Sequence, residues 1–286
     1  MISSDALGSV PNVLSIDFES WVHAYRPADT NSPARRRLDN GFVLSAGMKL
    51  LDLLDRYNAV ATFFVVSEIF EWYPELLEKI ERRGHEIALH SYSHRILWSK
   101  SDLADEIGRS AEFMQRFKVR GFRAPRGFMK EEHLDILRRF EIVYDSSSYG
   151  AWEAIRRTNG VAEIPMSAWA YSNSERTEPH FGPLNWKLIG QVFPFGSPYV
   201  IGLIGPLLLR CVRFENRRKR PAIICFHLWQ VVHPCRSHGF MRQLLAHEIL
   251  SLPYCIKRHR LFIELLKTVK TMTMGQFFDA RFHNTD

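Results

Sequence analysis

No two cysteines of this chain stand in a CxxC spacing. The four present, Cys211, Cys225, Cys235 and Cys255, are scattered over its last third. That excludes a zinc knuckle and a dithiol redox motif, and it predicts buried free thiols in a reducing compartment. Long apolar runs are also missing, since none approaches the roughly 18 residues that a spanning helix needs. The nearest, Tyr199 to Leu209, is interrupted by Pro206. The opening Met1-Ile2-Ser3-Ser4-Asp5 has neither a basic n-region nor an apolar h-region. A secretory signal is therefore not expected, and a cytoplasmic location is. Acidic charge is in short supply, with 31 acidic against 38 basic residues and a formal charge of +7. The excess is concentrated in Arg35-Arg36-Arg37 and Arg217-Arg218-Lys219-Arg220, which read first as solvated loops. Nucleic acid is not expected as a partner, because charge alone does not define a basic stripe on one face.

What is present suits a folded enzyme. Hydrophobic residues make up 46% and charged residues 24% of 286 positions. That supplies a core and fits a single domain spanning 1–286. Apolar, β-branched runs predict strands at Val13–Ile16, Ala59–Val66, Glu86–Leu89, Val119–Phe122, Ile142–Tyr144, Val161–Ile164 and Ala222–Phe226. Helical spacing predicts helices at Val43–Tyr57, Ile69–Arg83, Ser101–Phe117 and Glu131–Phe140. Gly84 would close the second, and Ser101 or Asp102 would cap the third. Strand–helix alternation implies parallel strands with helical crossovers. The expected fold is an α/β distorted (β/α) barrel of about seven parallel strands, its active site at the strand C-terminal ends. Residues 171–220 break the pattern and are expected to form an insertion or lid over the mouth.

The chemically loaded residues gather at those strand ends. Asp17 and Glu19 follow the first strand and His90 the third. Arg123, Asp145 and His227 follow later strands in the same way. His90 and His94 stand four apart, so a helical or tight turn after the strand puts both imidazoles on one side. Two imidazoles and a carboxylate suit a divalent ion with an open coordination position, the arrangement of a catalytic site. Arg123 is placed to hold the Asp17 carboxylate and Asp145 to orient His227, because buried charges need partners.

Five short motifs occur in order: Ser15-Ile16-Asp17-Phe18-Glu19, His90-Ser91-Tyr92-Ser93-His94, Phe122-Arg123-Ala124-Pro125-Arg126-Gly127, Tyr144-Asp145-Ser146-Ser147 and Cys225-Phe226-His227-Leu228-Trp229. With them the chain resembles the polysaccharide deacetylase family (carbohydrate esterase family four, the nodulation-type deacetylases), in its Asp-x-Glu branch. The resemblance covers roughly residues 12–167 and 222–278. It implies a divalent metal, usually zinc with cobalt, nickel or manganese as substitutes, and hydrolysis of an N-acetyl group on a sugar. It implies Asp17 as base, His90, His94 and Glu19 as metal ligands, and His227 as acid. Asp145 would partner His227, and Arg123 would tune Asp17. Relatives often carry a further acid after that Glu, where this chain has Ser20.

Sugar rings stack on aromatic faces, so Tyr149, Trp169 and Trp229, with Pro125 of the third motif, are the expected substrate-binding residues; Trp21 and His23 stand near the first motif. The expected substrate is an N-acetylated sugar that is nucleotide-linked, lipid-linked or a small glycoside. Residues 199–220, apolar and then basic, suggest peripheral contact with the inner face of a membrane. The competing readings are a deformylase or cyclic-amide hydrolase on the same scaffold, or an inactive sugar-binding homologue.

Overall fold

The computed structural model describes residues 10–25, 31–234 and 252–282. Its strands in chain order are β1 (Asn12–Phe18), β2 (Thr62–Val65), β3 (Glu86–Leu89), β4 (Gly121–Phe122), β5 (Tyr144–Asp145), β6 (Tyr149–Gly150) and β7 (Arg156–Thr158). They continue with β8 (Val161–Glu163), β9 (Met166–Ser167), β10 (Trp169–Ala170), β11 (Val192–Phe193), β12 (Ile223–His227) and β13 (Thr271–Met272). The main sheet runs β12-β1-β2-β3-β4-β5-β8-β7, with β13 pairing beside β1. Every pairing from β12 to β8 is parallel, and β7 closes the edge antiparallel to β8. The sheet is the curled, mostly parallel wall of a (β/α) barrel.

Continuous apolar runs make these strands. All of β1 and β2 is buried, as expected where helices cover one face and the barrel interior the other. β12 and β8 do not pair. Between them lies the small β6–β9 sheet, where Ser167 Oγ accepts from Ile223 N and Gly196 O accepts from Cys225 N.

The helices depart from the expected bounds for local reasons. The run 69–83 is two helices, Glu68–Trp72 and Pro74–Arg82, because Pro74 disfavours helical backbone at Tyr73. The run 101–117 divides into Lys100–Arg109 and Ala111–Phe117. Its cap is Ser99, which accepts from Asp102 N while Asp102 accepts from Ser99 N. Residues 171–220 are not a single lid. His180 pairs with Tyr149 near the mouth, whereas helices Pro198–Ile204 and Leu207–Arg217 pass down the outside of the wall. There Asn216 donates to Asn12 at the start of β1. Among the described residues, no helix is long and apolar enough to cross a membrane. Cys211 and Cys225 are buried free thiols and Cys255 is buried; Cys235 lies outside the described residues.

His85, just before β3, is a cost built into the wall. Both its ring nitrogens are buried without a hydrogen-bond partner, against Phe63. Burial, with a smaller contribution from Arg83 and opposed by Asp55, pulls its pKa down to about 4. The folded state keeps this ring neutral while the unfolded chain protonates it below about 6.5. Stability is therefore lost as pH falls from about 6.5 towards 4, by up to about 3 kcal/mol, and the loss levels off below that. His85→Leu should flatten this part of the profile. Urea unfolding at neutral pH and near pH 4.5 checks it, and an equal acid loss in both proteins would count against it.

Candidate metal centre

The strand register assembles the site. Asp17 lies opposite His227 on the adjoining strand β12. His90 N donates to Val65 O at the end of β2, and Arg123 N donates to Leu89 O at the end of β3. Phe122 is in register with Leu89 on one side and Asp145 on the other, so these residues step around one rim.

Glu19, His90 and His94 bring one donor atom each within 4.8 Å of one another, and all three are buried. His90 Nδ1 donates to Arg123 O at 2.7 Å, which fixes the tautomer and leaves Nε2 with its lone pair. His94 Nε2 lies 3.0 Å from Glu19 Oε2. That carboxylate oxygen nevertheless has no hydrogen bond, and neither has His94 Nδ1. Burial, and then the neighbouring Asp17 charge, push the Glu19 pKa well above its usual range. Burial, and then the nearness of His90, His23, Arg126 and His227, push the His94 pKa well below its usual range. A carboxylate and an imidazole that both resist their charged forms, with facing lone pairs, fit a divalent cation between them. Among the described residues no other cluster has this donor set. Ser20 does not share in it. Its Oγ accepts from Val22 N, and its N–H donates to His23 Nδ1.

The histidine segment is a locked turn and not a helix. Ser91 and His94 both have left-handed backbone, at φ 62° and 63°. Such conformations cost roughly 1–3 kcal/mol each and persist only where the surroundings over-determine them. Here Ser67 N and Glu68 N donate to Ser91 O and Tyr92 O. Glu106, fully buried, accepts from Tyr92 N, Ser93 N and Ser93 Oγ at 2.8–3.0 Å. Glu68 in turn accepts from Arg35 and sits 2.5 Å from His23 Nε2. His23, which stacks on Trp72, thereby links the Glu19–Ser20 bend to the histidine turn.

Beneath the centre, Arg123 donates to Asp17 Oδ1 at 2.8 Å, to Ser15 Oγ and to Cys225 Sγ, and its plane covers Phe64 at 4.0 Å. Burial alone would raise the Asp17 pKa, but Arg123, His90 and His227 outweigh it and hold it at about 2. His227 Nε2 stands 3.6 Å from both Asp17 Oδ2 and Glu19 Oε1. Burial, against the pull of Asp17, lowers its pKa to about 4.

Asp145 does not orient His227. It accepts from Ser147 N and Ser147 Oγ, and His227 Nδ1 has no partner among the described residues. Four strands separate β5 from β12 along the sheet, so the two side chains do not meet. Asp145 shares its buried position with Glu163, whose pKa burial and the Asp145 charge raise well above normal. The pair organises the Ser146–Ser148 turn, and Ser146 O and Oγ accept from Arg123. Asp145 thus supports Arg123.

The expected substrate-binding aromatics are placed differently. Trp229 is buried, stacks under His227 at 4.6 Å and donates to Tyr254 O, so it is a back wall. Trp169 packs among Phe193, Phe195 and Phe214 and donates to Glu215, away from the metal cluster. Glu215 adjoins Asn216, which is tied to the start of β1 and hence to the opposite end of the strands. Trp21 and Tyr149 are buried, and Tyr149 is close enough to Asp17 and Cys225 for their charges to raise its pKa, after burial. Pro125 is buried in the turn Pro125–Gly127. In that turn Arg126 (φ 54°) is exposed, and a Cβ on Gly127 (φ 67°) would fall 3.0 Å from Gly182 O. Sequence reasoning missed Trp98. It is 68% exposed, four residues after His94, with its ring 4.9 Å from Phe128 just beyond that same turn. The available signal was a tryptophan so soon after a proposed metal ligand.

Residues 39–144 match the family model for polysaccharide deacetylase. The chain is 28% identical over 121 residues to a peptidoglycan-N-acetylglucosamine deacetylase of Bacillus cereus, covering 41% of this chain and 44% of the relative. It is 29% identical over 125 residues to the peptidoglycan-N-acetylmuramic acid deacetylase PdaA of Bacillus subtilis, covering 40% and 47%. A chitooligosaccharide deacetylase of Azorhizobium caulinodans is 27% identical over 140 residues, covering 44% and 64%. The chain thus spans about half the length of the curated relatives it matches. In fold it is similar to a crystal structure from Mycobacterium smegmatis assigned to the polysaccharide deacetylases, with a TM-score of 0.56 and 20% identity over 96% of this chain and 92% of that one.

Because Glu106 pins the turn that carries both imidazoles, Glu106→Gln should weaken zinc binding by about 10–100-fold. Competition with a chromophoric chelator measures this, with circular dichroism to show that the fold persists. Unchanged affinity in a folded variant would remove Glu106 from this role.

Proposed function

We propose that this chain is a polysaccharide deacetylase, the family whose model matches residues 39–144, and that it hydrolyses the N-acetyl amide of a sugar with a divalent metal, zinc first. The observation that carries the reading is the Glu19, His90 and His94 cluster beside Asp17 and His227 at one rim. Glu19, His90 and His94 would hold the ion. When bound, it would supply Lewis-acid polarisation and acidify water towards neutral pH.

The remaining chemistry falls to the protein. Asp17, ionised at neutral pH, takes the proton from the attacking water. Oxygen joins the acetyl carbon, the C–N bond breaks, and the amine leaves with a proton. His227 is the group for that last transfer, but it enters neutral. It must first receive the proton, and Asp17 Oδ2 at 3.6 Å is the near source. Trp229 holds the imidazole plane from behind. Exposed Trp98, with Phe128, offers a sugar ring an apolar face, while Arg126 stands in the open beside the cluster.

Acetate release from free, nucleotide-linked, lipid-linked and oligomeric N-acetylhexosamines, with zinc, cobalt, nickel or manganese, tests the activity. Release of formate from N-formyl analogues in its place would reassign the reaction, and no turnover by the metal-loaded protein would overturn it. Asp17→Asn should keep stoichiometric zinc yet lose about 10²–10⁴ in kcat. His94→Ala should lose the zinc itself, measured by elemental analysis. Trp98→Ala should raise KM about 3–10-fold with kcat nearly constant, the size of an aromatic stacking contribution. A fall in kcat alone would place Trp98 outside substrate binding.

A further inference from the structure

The helix Leu207–Arg217 shows solvent an unusual face. Its exposed residues are Leu207, Arg210, Arg213, Phe214 and Arg217, with Arg218 just beyond its end. At 3.6 residues per turn these fall within an arc of roughly 140°. No acid lies in that arc, because Glu215, the helix's own carboxylate, is buried and accepts from Trp169. Among the described residues Arg210, Arg213, Arg217 and Arg218 make no salt bridge, whereas neighbouring Arg220 is taken up by Glu153. Leu207 is 51% and Phe214 42% exposed, and Arg218 lies over the Phe214 ring at 3.5 Å.

The apolar part of this face continues towards the mouth. Leu203, on the preceding helix, is 57% exposed. One turn earlier Tyr199 packs 5.1 Å from Tyr254, whose ring lies 5.3 Å from His227. Arg258 ties the two elements together by donating to Ile201 O.

We propose that the outer face of the helix Leu207–Arg217, with Leu203 beside it, docks on an anionic lipid bilayer. Its arginines meet the phosphates, while Leu203, Leu207 and Phe214 enter the headgroup boundary. Charge complementarity selects this occupant: four arginines that face no acid among the described residues repel a second copy of the same face, and the interleaved apolar side chains have no use on a soluble polyanion. Docking would hold the catalytic mouth beside the membrane surface, within reach of a sugar carried on lipid.

Vesicle flotation of the full chain tests this apart from catalysis. The probes are phosphatidylcholine vesicles with or without about a third phosphatidylglycerol. Binding to the anionic vesicles alone, reduced by high salt, is expected. Arg210→Gln with Arg213→Gln should weaken it about 30-fold, at roughly 1 kcal/mol per charge. Leu207→Ser with Phe214→Ser should weaken it where salt is low as well. Neither pair touches the metal centre, so activity on a water-soluble oligosaccharide should stay constant. No flotation on anionic vesicles would overturn the proposal. So would binding that neither pair alters, or heparin binding of equal strength that ignores the Leu207 and Phe214 changes.

Discussion

Arg123 is the residue on which the rest of the rim depends. A guanidinium that is 2% exposed must spend its donors inside the protein, and it does so on Asp17, Ser15, Cys225 Sγ and both oxygens of Ser146. Its own carbonyl accepts the hydrogen bond from His90 Nδ1. One residue therefore keeps the base ionised, sets the tautomer of a metal ligand and anchors the turn after β5. A buried ion pair adds little net stability, but removing one partner leaves an uncompensated charge costing about 3–5 kcal/mol. The surrounding sequence is constrained accordingly, down to Phe64 beneath the guanidinium plane.

The site is a set of charges kept apart by burial and joined by position. Asp17 is held ionised and His227 neutral, while Glu19 and His94 each resist charge. Opposed tendencies among neighbouring titratable groups mark acid–base sites. In this one the same opposition leaves Glu19 Oε2 unbonded beside His94, which is the strongest local reason to place a cation there. The outer shell serves that arrangement from two directions. Glu106 and Glu68 fix the histidine turn, and Asp145 with Glu163 fixes the turn that holds Arg123.

Much of this was legible in the chain. The seven parallel strands read as apolar runs, because a wall buried on both sides needs continuous hydrophobic sequence. The rim residues read as polar letters closing those runs. The Asp17–Arg123 pairing followed from the need of buried charge for a partner. What failed was direction and depth. Trp169 and Trp229 follow strands as expected, yet one packs on the outer side and the other lies behind His227, since aromatic area is buried wherever the wall has room. Asp145 was assigned to His227 because both end strands, and strand ends alone do not give the distance around a curved sheet.

The sequence by itself determined the strand set, the edge that carries the chemistry and the residue types that meet there, because period, burial and charge pairing are local rules. The tertiary structure alone decided which of those residues touch. Only the β1–β12 register puts Asp17 opposite His227, only the left-handed turn brings His94 to Glu19, and only the packing leaves Trp98 in the open. Those outcomes depend on contacts between segments distant in the chain, whose geometry no local pattern encodes.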